Sequence, residues 1–268
     1  MGVAEIIPGI SGGTVALILG IYKRLIDSIS QFNIVFLKRI GKHLFKEAFK
    51  QVDIYFLFSL FLGMLVAIFS LSSLLSFLLF SHAVFFKFLL SSLLGSSLLL
   101  KEIRPLTIDK NLFLGILFSA IIGLSLFATP VIEIESPSSI YIFFAGFLAI
   151  CALVLPGISG SFILLLIGVY PVIIVSISTL DIVTLSIFSL GCIVGLLSAV
   201  RIIKTIYERN RSLMRAFFFG LILFSIPLLW KEDQFLIIIP TVSEFLLEAV
   251  IGIFIGMGLI FLLEKART

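Results

Sequence analysis

The chain has 268 residues, 60% of them hydrophobic and 13% charged, with a mean hydropathy of +1.29. No soluble domain of that size has interior enough to hide so much apolar surface, so lipid must be the solvent for much of the chain. The formal charge of +4 falls between hydrophobic segments, not in one tract or an aromatic-interleaved face, which argues against a nucleic-acid partner and makes topology the better reason for the charges.

The first apolar stretch, residues 3–22, is interrupted by PGISGG at residues 8–13. It lacks the basic leader of a secretory signal, and Ile6 stands where a myristoylation pattern needs Ser or Thr. The pieces on either side of the motif are too short for a hydrocarbon core of about 30 Å, which takes roughly 20 helical residues, so a re-entrant helical hairpin is expected. A basic loop follows, in which residues 38–50, with Leu44, Phe45 and Phe49, read as an amphipathic segment lying on an anionic inner leaflet. Ordinary crossings are predicted at residues 54–71, 84–100 and 112–128. A second interrupted stretch, residues 140–177, carries PGISGS at 156–161 and reads as another hairpin, with a kinked full span as the alternative. Crossings at 182–200, 213–230 and 245–263 complete a set of six. Cys151 and Cys192 read as small packing residues, and neither they nor the isolated His43 and His82 have metal-site or catalytic spacing, so no metal or cofactor is expected.

The halves repeat at an offset of 148 residues around the motif. Pro8, Gly9, Ile10, Ser11, Gly12, Leu17, Gly20 and Tyr22 match Pro156, Gly157, Ile158, Ser159, Gly160, Leu165, Gly168 and Tyr170. Residues 1–128 and 129–268 therefore each read as one motif hairpin followed by three crossings. The expected fold is an all-α polytopic membrane protein. With both hairpins returning to their side of entry, the basic groups at 23–50, 101–110, 201–215 and 265–267 share one side, which the positive-inside rule makes the cytoplasm. Lys87, near the outer end of its span, is expected to snorkel outward, and Glu133, Glu135 and Asp181 fall outside. An odd number of crossings per half turns the second half upside down relative to the first, giving two inverted-topology repeats.

Proline ends a helical approach, and the glycines let backbone groups face a cavity. New half-helices are expected to start at Ser11, Gly12, Gly13 and Thr14 and at Ser159, Gly160 and Ser161, with N–H groups and hydroxyls pointing to mid-membrane. Such starts suit an anion, and two arriving from opposite faces would build one pseudo-symmetric site. The alternative is a pair of tight hinges needed only for packing. Glu5, one turn before Pro8, is a candidate carrier of a proton or sodium ion, since an intramembrane carboxylate is costly unless used or paired. Its counterpart is Leu153, so that role belongs to one half. Arg201, Lys204 and Arg215 border spans and read as topology anchors that could draw a phosphate from the cytoplasmic side.

GVAEIIPGISGGTVALILGIYKRLI at residues 2–26 and AICALVLPGISGSFILLLIGVY at 149–170 closely resemble the signatures of domain-of-unknown-function family 368, of the PopT type. The likeness covers essentially the whole chain and includes the acidic residue three before the first Pro, here Glu5. It implies a bacterial cytoplasmic-membrane protein that returns undecaprenyl phosphate, the lipid carrier of wall polymers, from the outer to the inner leaflet. It also implies a binding role for Pro8, Gly9, Ser11, Gly12, Gly13, Thr14, Pro156, Gly157, Ser159, Gly160 and Ser161. Family members carry more residues before the first motif, so Met1 is expected to be an internal methionine. A polyprenyl-diphosphate phosphatase resembles the chain in its inverted repeats and PGxSRS loop, but the arginine position is Gly12 in one copy and Gly160 in the other, and Glu5 has no acidic neighbour at helical spacing. A small-anion transporter or channel is the remaining alternative.

Overall fold

The structure, a computed structural model, describes residues 1–6, 11–105, 108–132, 134, 136–230 and 242–267. Among these the regular elements are all α-helices. The first motif lies between α1 (Gly2–Ile6) and α2 (Gly12–Ile18), and α3 (Tyr22–Ser30), α4 (Ile34–Gly41) and α5 (Phe45–Gln51) form the basic connection. The long helices α6 (Ile54–Ser81), α7 (Ala83–Ser97) and α8 (Lys110–Ala128) follow. The second motif lies between α9 (Ser139–Val154) and α10 (Gly160–Leu166), succeeded by α11 (Tyr170–Ser178), α12 (Ile182–Arg209), α13 (Arg211–Leu228) and α14 (Val242–Arg267). Pro8, Gly9, Glu133, Glu135 and Lys231 lie outside the described residues.

By length and apolarity α6, α8, α12, α13 and α14 can each cross a membrane, making this a multi-pass membrane protein. The expected crossing at 84–100 differs. Its helix, α7, has 15 residues, about 22 Å at 1.5 Å per residue and short of the ~30 Å core. The cause is its last turn, where Leu98, Leu99 and Leu100 donate to Gly95, Ser96 and Ser97, three residues back, so the α-helix tightens instead of continuing. Conversely, α6 runs ten residues beyond its expected end. Ser70, Ser72 and Ser73 lower the hydropathy there without ending the helix, because the helix propensity of serine is close to that of the aromatic and β-branched residues around it.

The long helices pack as three side-by-side pairs, α9 with α12, α8 with α13 and α7 with α14, and α1 lies along α6. Small residues set each seam. A Cβ on Gly195 would sit 2.6 Å from the Phe147 carbonyl oxygen, one on Gly115 2.6 Å from Ala216 Cβ, and one on Gly256 2.7 Å from the Leu89 carbonyl oxygen. Lipid supplies no hydrophobic drive between helices, so close backbone approach and the dispersion it brings must hold such pairs. Cys192 Sγ, 3.4 Å from the Gly146 carbonyl, and Cys151 Sγ, 3.6 Å from that of Gly195, sit on the α9–α12 seam as packing residues. Tyr55, Phe58, Phe61, Phe69 and Phe77 of α6 are exposed, an outward face that suits lipid. Ile34, Val35, Leu44, Phe45 and Phe49 are exposed along α4 and α5, the apolar side of the amphipathic segment.

Two expectations about polar side chains change. Lys87 does not snorkel outward: it is buried, with Nζ 5.5 Å from the centre of the Trp230 ring, whose face favours a cation. His82 is not isolated, since Nδ1 lies 2.7 Å from Glu248 Oε1 and joins the α6–α7 turn to α14. Asp181 caps α12, and its hydrogen bonds from Thr184 hold the carboxyl below its ordinary range.

Candidate functional site

Ser11 and Ser159 are the N-cap residues of α2 and α10, so the half-helices begin where the motif predicts. Each then doubles back on the helix before it. A Cβ on Gly160 would lie 2.6 Å from the Ala149 carbonyl oxygen and 3.5 Å from Leu153 Cβ. In the first copy a Cβ on Gly12 would meet the carboxylate of Glu5, the counterpart of Leu153, with its carboxyl carbon 3.3 Å away. Only glycine lets the returning helix approach so closely. At their far ends both half-helices stop on a glycine with positive φ, 73° at Gly20 and 72° at Gly168. The N–H of Gly20 donates to Leu17 and that of Ile21 to Ala16, while Gly168 donates to Leu165 and Val169 to Leu164, the same Schellman ending twice. Past Gly168 the chain turns by 109° into α11.

The two motifs meet. α9 ends at Val154, where the Leu155 N–H closes onto the Cys151 and Ala152 carbonyls, so the carbonyls of Leu153 and Val154 must find donors elsewhere. The first motif supplies them. The Ser11 hydroxyl shares its proton between the Leu153 and Leu155 carbonyls at 3.0 and 3.2 Å, and the Tyr22 hydroxyl donates to Val154 at 3.1 Å. In return Thr14 Oγ1 accepts from the Gly157 N–H at 2.7 Å. Ser11, Thr14 and Pro156 are fully buried. Gly13 makes the approach feasible, since a Cβ there would stand 2.8 Å from the Val154 carbonyl oxygen and 3.0 Å from that of Leu153. Gly157, at φ 88°, passes so near Leu221 that a Cβ would be 2.6 Å from its carbonyl oxygen.

The copies differ in how their first-turn donors are spent. At α2 the Gly12 N–H donates to Glu5 Oε1 at 2.8 Å and the Gly13 N–H to Ser11 Oγ at 3.0 Å. At α10 no side chain caps the first turn. The Ser159 and Ser161 hydroxyls lie 2.8 Å apart and bond to each other. The expectation of free N–H groups therefore fails at Gly12 and Gly13, because the chain provides its own acceptors for them. Chemically the pair offers a carboxylate on one side and a hydroxyl pair beside an uncapped helix start on the other.

Of the cations expected to help, Arg201 Nη2 donates to the Phe32 carbonyl at 3.2 Å and so ties α12 to the end of α3. Lys204 reaches Ser30 at 3.0 Å and Asp27 at 3.3 Å. Arg215 differs, since its Nε is buried with no hydrogen-bond partner. Among the described residues no group of His, Cys, Asp and Glu is placed to hold a metal ion. Tyr22 was visible in the sequence as half of a matched pair, but Tyr170 is exposed, so its role as donor to α9 could not be read from the repeat.

A family model described as VCA0040-like, undecaprenyl phosphate translocase-like, matches residues 1–243. The chain is 36% identical over 239 residues to a polyprenyl-phosphate transporter of Vibrio cholerae serotype O1, covering 87% of this chain and 76% of that one. It is 30% identical over 245 residues to a polyprenyl-phosphate transporter of Staphylococcus aureus, covering 84% of this chain and 81% of that one. No solved structure matches it.

Proposed function

We propose that this chain, which belongs to the VCA0040-like, undecaprenyl phosphate translocase-like family, is a polyprenyl-phosphate transporter whose headgroup site is the junction of the two motifs. The observation that carries the site assignment is the hydrogen-bonded meeting of two broken helices, Ser11, Thr14 and Tyr22 against residues 153–157. Irregular backbone inside a membrane is tolerated only where protein or a wet cavity satisfies it, and transporters place substrate at such breaks.

Two inverted repeats are the architecture this reading adopts. Supporting it, exchange of the halves turns the α7–α14 pair into the α13–α8 pair, and the two 28-residue helices α6 and α12 occupy corresponding places. The phosphate would take the Ser159 and Ser161 hydroxyls and the first turn of α10, with Arg215 as a cation near the end of its path. The donors on α2 are held by Glu5 and Ser11, so Glu5 is assigned to the coupling ion.

Inward movement of a phosphate monoester carrying about 1.5 to 2 negative charges opposes an inside-negative potential. The work is about 3 to 5 kcal/mol per 100 mV. A proton or sodium ion bound at Glu5 and moving with the lipid would offset part of that. The direction, from outer to inner leaflet, suits carrier-lipid recycling in envelope synthesis.

Ligand specificity tests the reading. Polyprenyl phosphate should raise the unfolding temperature of the detergent-purified protein in a concentration-dependent way, while inorganic phosphate at equal concentration should not. Stabilisation by inorganic phosphate alone would point to a small-anion transporter, and phosphate release from polyprenyl diphosphate would point to an enzyme.

A further inference from the structure

Where α9 stops at Val154, α12 continues to Arg209 without it. The space left beside the last turns of α12 is walled by α8 and α13. It forms a groove of about 470 Å³, lined by Phe118 and Ile122 of α8, Phe147 and Cys151 of α9, Ile202 of α12 and Phe217 of α13, among other residues. That volume lies within the ~300–1,000 Å³ of small-molecule sites. Its exposed lining is wholly apolar. Phe118 and Ile202 are exposed, so the groove opens sideways to the bilayer.

Three features say what should lie in it. The groove includes Leu155, whose carbonyl accepts from Ser11, so it is continuous with the motif junction. It extends from there to Ile206, about 12 Å along α12 from Ser198 at the helical rise. Its other end is where α12, α13 and α8 converge, fixed by the bond from Asn210 Nδ2 to Asn111 Oδ1 at 2.9 Å. Arg209, Arg211 and Lys110, all exposed, stand at those three helix ends and outnumber the exposed Glu208 and Asp109 beside them, leaving a net positive charge. An apolar slot open to lipid with a basic rim complements an anionic amphiphile, and the branched chain of a prenyl phosphate suits walls built from Phe and Ile.

We infer that this groove seats the proximal part of the prenyl tail in the inner-leaflet state, with the phosphate at the basic rim. The inference rests on the transporter reading above. The break after α9 then serves twice, since it builds the headgroup junction and, by ending α9, vacates the tail's seat. The tail need never leave an apolar surface while its phosphate moves between the junction and the rim.

The test uses the full chain in proteoliposomes of phosphatidylglycerol and phosphatidylethanolamine. A polyprenyl phosphate with a diazirine in its first isoprene units should label groove-lining segments of α9 and α13, and unlabelled polyprenyl phosphate should compete. A phosphatidylglycerol with a diazirine in its acyl chain should label those segments at least fivefold less. Ala199→Phe, which fills the groove, should abolish that labelling and slow translocation at least tenfold, whereas Leu190→Phe, on an exposed part of α12, should leave both unchanged. Equal labelling by the two lipids, or wild-type translocation by Ala199→Phe, would overturn the inference. If Ala199→Phe does not fold, the wild-type labelling ratio still decides. Failure of the wild type to move polyprenyl phosphate would instead count against the transporter reading, and labelling would then judge the groove by itself.

Discussion

Thr14 Oγ1 receives the buried Gly157 N–H, and few side chains can do so in that volume. Thr14→Val keeps the shape and removes the acceptor, leaving a buried donor unpaired at a cost of about 1–3 kcal/mol. Thr14→Ser keeps the oxygen. The valine variant should therefore unfold in detergent at a clearly lower temperature than the serine variant, and equal midpoints would show that the bond is not made. Gly13→Ala would press a methyl against the Val154 carbonyl, so it should impair transport, while Gly63→Ala, which meets nothing within 4 Å, should not. Glu5→Gln should retain translocation driven by the lipid gradient but lose its response to an imposed proton or sodium gradient. An unchanged response would remove Glu5 from coupling. At this scale the sequence pointed to the right neighbourhood, because Ser11, Thr14 and Gly157 stand out as motif residues. It did not reveal their partners. That Ser11 and Tyr22 donate to the carbonyls that α9 leaves unpaired depends on two segments 142 and 132 residues apart, which no local pattern encodes.

The helices are held by seams of small residues, and those seams make predictions of opposite sign on one helix. Gly256 of α14 lies against the Leu89 backbone, so Gly256→Ala should destabilise by about 1–3 kcal/mol through overpacking. Gly258, two residues on, meets nothing within 4 Å, so Gly258→Ala should be neutral or stabilising by up to about 1 kcal/mol, the helix propensity difference. Thermal unfolding of the two variants in one detergent separates these outcomes. Hydropathy found the crossings of α8, α12, α13 and α14 because each is a continuous apolar run. It misjudged the end of α6, where serines are compatible with helix, and the length of α7, where a run of leucines hides a change from α to tighter winding. The repeated Gly20 and Gly168 were legible as matched letters, and their positive φ supplies the physical reason for the match.

For the whole molecule, α7 and α8, which precede the second motif, pack against α14 and α13, which follow it. The periodic match of motifs, the loop charges and the predicted crossings together suggested the pairing of two broken helices from sequence alone. The asymmetry between them could be glimpsed only in Glu5 standing where the second motif has Leu153. Its consequence is a first copy whose donors at Gly12 and Gly13 are already bonded and a second with an uncapped first turn. A leaflet-resolved translocation assay of polyprenyl phosphate in proteoliposomes, comparing wild type with the Ser159→Ala/Ser161→Ala double variant, tests whether the second motif holds the headgroup. The wild type should translocate well above protein-free vesicles, and the double variant should lose at least tenfold at equal folded protein. Equal rates for the two proteins would contradict it.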